Sequence, residues 1–298
     1  LLGVAHIFPT NDEVGEFSKS RFKPLIANNK SFIGKYVKTL KGGTDTTSLK
    51  RVRDAFLYLR GARLSQKIGD SAESTSSKTA GFSVDKCVFD EVDYMDTDVI
   101  EKYKGRMGES PHKKEVYLGN PSHEDFGIDL IFKQSDQRYW FRKCSCSGLI
   151  STPAAITVRG SWTCADKSFP DCVKIRKDGT GYIGCNKCGK EIPMWNGTGS
   201  AEWVPDFPDR TKFMQGYMGS QLMSPRVDPA EILEDFVNPP FGNLADVYRL
   251  RLGRAYSAKD EKLRISDVLA NCGNDGIDLK HPGPCAVPAF CRRARGLC

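Results

Sequence analysis

Short apolar runs that stop at turn residues, separated by stretches of helical spacing, pattern the first half of the chain. Residues 4–8 (Val-Ala-His-Ile-Phe) read as a strand halted by Pro9-Thr10. Behind it Val14, Phe17, Phe22, Leu25 and Ile26 recur at roughly helical spacing. Thr10 or Asn11 can cap that helix and Asn28-Asn29 ends it. Further strands are expected over 53–60, closed by Gly61, over 84–89, running into Asp90-Glu91, and over 115–118, ending in Gly119-Asn120-Pro121-Ser122. The Ser/Thr-rich stretch 71–78 reads as a loop or an exposed helix end. Strands alternating with helices argue for an α/β fold on a parallel sheet. Ligands of such sheets gather beyond the carboxyl ends of the strands, where Pro9-Thr10, Asp90-Glu91 and Asn120-Pro121-Ser122 would all lie.

From residue 132 to about 193 the texture changes to short β-like pieces, turn glycines and six of the eleven cysteines, which reads as a small β insert. Helical spacing returns over 213–236, with Asp228-Pro229 as cap and first-turn proline and Asn238-Pro239-Pro240 as the stop. After Gly276 periodicity is lost, and the tail is rich in Cys, Arg and Pro. No internal repeat is present. The expected divisions are therefore 1–131, 132–195, 196–275 and 276–298.

Composition narrows the class only a little. A chain of 298 residues can bury one large core or two modest ones, and its 39% apolar and 27% charged content is that of a soluble globular protein. No apolar run reaches the roughly 18 residues that cross a bilayer. No basic-then-apolar leader opens the sequence, so no secretory signal is expected. Leu1-Leu2-Gly3, without a Met and close to a strand, suggests a chain cut at its front. The net charge of +7, from 44 basic and 37 acidic residues, is a mild bias compatible with nucleic acid. CxC and CxxC clusters without a leader favour metal binding over disulfides.

Two constellations carry candidate chemistry. Asp90 and Glu91 follow Cys87-Val88-Phe89, and adjacent carboxylates on a rigid strand end can serve a triphosphatase. One holds Mg²⁺ and the other polarises the attacking water. The plain alternative is a solvated loop at a strand end. Asp93 reads either as a further ligand or, preferably, as a helix N-cap. Nothing in the sequence matches GxxxxGK(S/T); Gly42-Gly43-Thr44 follows a lysine and reads as a turn.

The second constellation is Cys144, Cys146, Cys185 and Cys188. Cys185-Asn186-Lys187-Cys188-Gly189 is a well-formed zinc knuckle, and Cys144-Ser145-Cys146 is a tighter partner with one intervening residue. Cys164 and Cys172 are spare candidates. The metal would be structural Zn²⁺, since no histidine or carboxylate accompanies the sulfurs; free cysteines packed as small hydrophobes are the alternative. His6, His112, His123 and His281 form no nucleophile pattern, which disfavours a hydrolase triad. Trp140, Trp162, Trp195 and Trp203 read as packing residues rather than base-stacking platforms.

In order, these motifs resemble the large subunit of tailed-phage terminases, in particular the lambda-like (GpA-type) branch with a cysteine-rich insert. The resemblance runs from Ile7-Phe8-Pro9-Thr10 and Phe17-Ser18-Lys19-Ser20-Arg21-Phe22 through Gly61-Ala62, Phe89-Asp90-Glu91-Val92-Asp93 and Gly119-Asn120-Pro121-Ser122. It continues with Ser135-Asp136-Gln137-Arg138-Tyr139-Trp140, the Cys185/Cys188 knuckle, Gly216-Tyr217, Gln221-Leu222 and the 248–256 segment, covering about residues 3–285. It implies a P-loop (ASCE/RecA-like) parallel sheet flanked by helices, lacking its first strand and phosphate loop, with a small β zinc-ribbon insert.

The resemblance also implies roles and partners. Asp90 would bind Mg²⁺, Glu91 would be the catalytic base, and Asn120, Pro121 and Ser122 would form the coupling motif that senses ATP. The implied partners are double-stranded DNA, a terminase small subunit, a portal or procapsid and further copies in a ring, in the host-cell cytoplasm and with no membrane. In the family a phosphate loop precedes the segment at Ile7 and a nuclease follows Gly283-Pro284; this sequence shows neither, and its tail suggests a frameshift or truncation. Little ATPase activity is therefore expected of this chain alone. A DEAD-like helicase fragment and a non-catalytic zinc-ribbon module binding DNA or protein are the competing readings.

Overall fold

The computed structural model describes residues 3–37, 46–62, 81–147, 162–193 and 201–257. The Ser/Thr-rich stretch 71–78, Trp195 and the tail after residue 257 lie outside the described residues. All but one of the described residues belong to the unit Leu1–Tyr256.

A five-stranded sheet organises the first half, in the order β2-β3-β1-β4-β5. Its strands are β1 (Gly3–Phe8), β2 (Leu49–Val52), β3 (Ala55–Gly61), β4 (Lys86–Phe89) and β5 (Lys114–Tyr117). β1 pairs in parallel with both β3 and β4, and β4 with β5, so four strands end at the same rim. β2 is an antiparallel edge strand against β3.

The centre of the sheet carries apolar side chains toward both faces, as a parallel strand covered on both sides must. On one face Ala5, Ile7, Cys87 and Phe89 pack under Val99, Ile100 and Tyr103 of α3 (Thr97–Lys104). On the other, Phe8 and Leu59 meet Val14 of α1 (Asn11–Glu16) and Phe17 beyond it. Thr10 caps α1 in a capping box with Glu13. A π-turn over Phe17–Phe22 then leads into α2 (Lys23–Asn28). Gly61 is where α1 comes down on the sheet: a Cβ there would lie 2.7 Å from the Asn11 amide.

Beyond β5, α4 (Gly127–Gln134) leads into a three-stranded antiparallel sheet ordered β10-β6-β7. These strands are β6 (Arg138–Lys143), β7 (Trp162–Cys164) and β10 (Ala201–Pro205). α5 (Ala165–Ser168) follows β7, and β8 (Val173–Ile175) with β9 (Gly181–Ile183) forms a hairpin. That hairpin packs on α6 (Pro229–Val237) through Val173, Ile183, Leu222 and Ile232. A division at 195 therefore cuts through one sheet, and the hairpin shares its core with residues assigned beyond that boundary. The helix expected over 213–236 shrinks to α6. Gly216, Gly219 and Pro225 break the earlier stretch into turns, and Asp228 caps the part that remains.

Candidate functional site at the carboxyl rim

β4 ends at Phe89, and the chain turns at once through Asp90 and Glu91. Glu91 sits in the left-handed region (φ 57°, ψ 55°), which costs a non-glycine residue about 1–2 kcal/mol. The turn is held by Val92 N–H donating to Leu118 O and Tyr94 N–H donating to Glu91 O, so it is fixed against the end of β5. Asp90, Glu91 and the Asn120-Pro121-Ser122 loop thus share the rim where the strand pattern places them, as do Pro9-Thr10 at the end of β1.

Asp90 meets His6, whose Nε2 lies 3.1 Å from Asp90 Oδ2. His6 comes from the middle of β1, stacks on Phe8 at 4.3 Å and meets the edge of Phe17. Burial pushes the His6 pKa down against the opposing pull of Asp90, favouring a neutral ring that donates one N–H to the carboxylate. Glu91 is raised above the usual carboxylate range, first by burial and then by the charge of Asp90. The Asn120 backbone amide offsets this in part.

Asp93 joins the two loops. Its Oδ2 accepts from Ser122 N at 2.7 Å and Ser122 Oγ at 2.6 Å, and its Oδ1 accepts from Ile128 N at 2.7 Å. It therefore caps α4 from 35 residues away, not the helix that follows it, which Asp96 caps. Gly127 is the residue that permits this approach: its φ is +50°, and a Cβ would collide with the Asp93 carboxylate.

The rim offers oxygen donors suited to Mg²⁺. Asp90 presents one carboxylate oxygen not engaged by His6, with the Glu91 carboxylate next in sequence. The sequence itself carries no GxxxxGK(S/T) motif of the kind whose backbone amides cradle phosphates.

The second constellation lies in the other half of the unit. Cys144, Cys146, Cys185 and Cys188 present four sulfurs all within 4.8 Å of one another. The Cys144–Cys188 and Cys146–Cys185 separations are 3.6 and 3.7 Å. Tetrahedral zinc with Zn–S bonds of about 2.3 Å separates its sulfurs by about 3.8 Å, so the set fits the ion. The short Ser145–Ser147 turn lets both cysteines of the CxC face the group. Gly189, at φ +71°, returns its N–H to Cys185 O, and Lys187 N–H donates to Cys185 Sγ at 3.4 Å. The Lys190 backbone amide draws the Cys188 thiol down to about 7, whereas burial raises Cys146 to about 12.

The spare cysteines are elsewhere. Cys164 lies in β7 against Phe141 and Trp162, and Cys172 sits in the core under α6 with its Sγ on Ala165 O. Burial raises them to about 12 and about 11, the behaviour of small core residues. His6 and the trans role of Asp93 were not visible in the sequence: their partners are 84, 29 and 35 positions away.

No protein-family model and no curated protein sequence matches this chain. Among solved structures, it is similar to the large terminase of a thermophilic bacteriophage, with 15% identity and a TM-score of 0.32. That match covers 44% of this chain and 29% of the other. The HK97 bacteriophage large terminase gives 12% identity and a TM-score of 0.31 over 44% of this chain and 25% of that one. The large terminase ATPase domain of a Thermus phage gives 11% and 0.40, over 86% and 77%. The chain thus spans less than a third of the first of these terminases. At such scores no residue role passes from those proteins to this one.

Proposed function

We propose that this chain is part of an ATP-driven DNA-packaging motor, a large terminase subunit of the lambda-like kind, and contributes the acidic half of its nucleotide site. The observation that carries the reading is the Asp90-Glu91 turn at the end of a parallel strand, tied through Asp93 to the Asn120-Pro121-Ser122 loop. Asp90 would hold Mg²⁺, which supplies charge neutralisation for a transferring phosphoryl group. Glu91 would accept the proton of the attacking water. Its raised pKa makes it a stronger base than an ordinary carboxylate, as general-base catalysis near neutral pH favours. Asn120, Pro121 and Ser122 would sense the phosphate through the backbone amide of Asn120 and the Asp93 clamp.

The same reading makes the four cysteines a structural Zn²⁺ site that holds the two knuckles together. ATP and double-stranded DNA would be its ligands, and a small subunit, a portal or procapsid and further copies its partners in a host-cell cytoplasm; endonuclease activity would belong to the parent motor. No described helix is long and apolar enough to cross a membrane.

The test is paramagnetic titration with Mn²⁺ and ATP, reading free Mn²⁺. Asp90→Asn is expected to weaken metal–nucleotide binding at least tenfold, while Glu91→Gln leaves it within about twofold. Unchanged binding in Asp90→Asn removes the metal role and with it the motor reading. ATP turnover by the chain alone is expected to stay near background, since the sequence carries no GxxxxGK(S/T) motif to neutralise the phosphates.

A further inference from the structure

Away from the acidic rim, one loop keeps large rings in water on a rigid base. Phe207, Phe213 and Tyr217 are 42%, 79% and 51% exposed. Each is covered by a cation: Arg210 lies 4.2 Å from the Phe207 ring centre, Lys212 4.8 Å from Phe213 and Arg138 5.5 Å from Tyr217. Three such pairs have their rings within this one short loop.

The loop is not loose. Asp136 is fully buried beneath it and accepts from Arg138 Nε at 2.8 Å, Thr211 Oγ1 at 2.8 Å and Gly216 N at 3.0 Å. Backbone bonds Phe207 N to Asp136 O, Asp136 N to Met214 O and Arg138 N to Gly216 O hold both ends of the loop to the start of β6. A rigid support that presents aromatic anchors spends little ordering entropy on binding, which is how recognition surfaces are built.

Charge selects the partner. Arg210 and Lys212 have no carboxylate partner among the described residues, Asp206 is neutralised by Lys167, and Asp136 is consumed by Arg138. Asp209 is the one acidic side chain of the loop left unpaired among the described residues, so the balance is positive. Phe213, 79% exposed and with Lys212 beside its ring, suits a ligand that alternates flat apolar bases with anionic phosphates. Bases present their faces only when unpaired, which favours a single strand over a duplex.

We infer that the 207–217 loop, with Arg138 beside it, is a contact surface for single-stranded nucleic acid, in which Phe213 stacks on a base and Lys212 meets a phosphate. The inference stands apart from the nucleotide reading, because it requires neither Mg²⁺ nor ATP.

The experiment is fluorescence anisotropy of the full chain with a labelled 20-nucleotide oligo-dT strand and with a 20-base-pair duplex, without nucleotide, over a salt series. Phe213→Ala is expected to weaken single-strand binding by about 5- to 100-fold, the range of one lost stack. Lys212→Ala is expected to weaken it and to lower the salt slope by about 0.7. Unfolding midpoints matching the parent's show that both variants fold. Single-strand affinity unchanged in both variants overturns the proposal, as does tighter binding of the duplex than of the strand. Self-association abolished by Phe213→Ala, with no effect on the oligonucleotide, also overturns it and assigns the rings to a second copy of the chain.

Discussion

Chelation at the proposed zinc site is the perturbation whose consequence can be worked furthest from the geometry. The four sulfurs already stand within 4.8 Å of one another, with two pairs at 3.6 and 3.7 Å against about 3.8 Å in an ideal ZnS₄ tetrahedron. Binding therefore needs almost no rearrangement, and an apparent affinity in the range of about 10–16 kcal/mol is expected at neutral pH. The apolar support beside the sulfurs is small. Only Cys144, Cys185 and Ile192 are buried in that cluster, and burying one isoleucine contributes about 2–3 kcal/mol. The ordering cost of 144–147 and 184–192 exceeds that support, at about 1–2 kcal/mol per residue. The knuckles should therefore open without metal, while Val173 and Ile183 stay seated on α6 through Ile232. Metal analysis should find one zinc per chain, lost in Cys185→Ser. Hydrogen exchange after chelation should rise sharply at 144–147 and 184–192, and little in α6. A chain that neither co-purifies with nor takes up zinc refutes the reasoning, and so does a Cys185→Ser protein that keeps its zinc.

Two further substitutions probe the rim. Asp93→Ala removes the acceptor of three hydrogen bonds, and the charged acceptor and the orphaned Ser122 and Ile128 amides set a cost of about 3 kcal/mol. Urea unfolding should show that loss and exchange should quicken over 119–128; a loss below about 1 kcal/mol contradicts the clamp. Glu91→Gln bears on pH. Because folding raises the Glu91 pKa, its contribution is fully present below the unfolded value of about 4.3 and is lost as pH rises through the folded one. The variant should therefore melt slightly higher than the parent at pH 8, by about 2 °C or less, and equally at pH 4. A parent that is the more stable of the two at pH 8 reverses the sign and rejects the burial argument.

The sheet was legible where local patterns carry it. β1, β3 and β4 are largely apolar runs ended by turn residues, β5 is marked by Val116-Tyr117 before Gly119, and Thr10 announces the first helix. β2 was not legible, because Leu-Lys-Arg-Val is short, doubly cationic and an edge strand whose Lys50 is buried over the Phe22 ring by tertiary packing. The π-turn over Phe17–Phe22 likewise leaves no mark in an apolar spacing that runs straight through it. For the four-sulfur cluster, spacing within each knuckle was enough to pick out the cysteines whose sulfurs the fold brings within 4.8 Å of one another. The exclusion of Cys164 and Cys172 needed the three-stranded sheet, because only the fold sends them into separate cores.

The same division between local and distant information explains how the rim and the aromatic loop are joined. Asp93 fixes the amino end of α4, and Ser135, directly after α4, donates its Oγ to Phe132 O. Asp136 follows at once and holds the loop that carries Phe213 and Tyr217. Eight helical residues span about 12 Å, and a helix is stiff over that length. Arg210 bonds the Lys133 and Ser135 carbonyls at the helix's carboxyl end, so the loop is attached to α4 directly and not through solvent. A displacement of the Asp90-Glu91 turn must then either break the Asp93–Ile128 bond or be carried by α4 toward the loop. That charge-assisted bond, at 2.7 Å, makes the second course the cheaper one for small movements, and the two Ser122 bonds carry the 120–122 loop along with it.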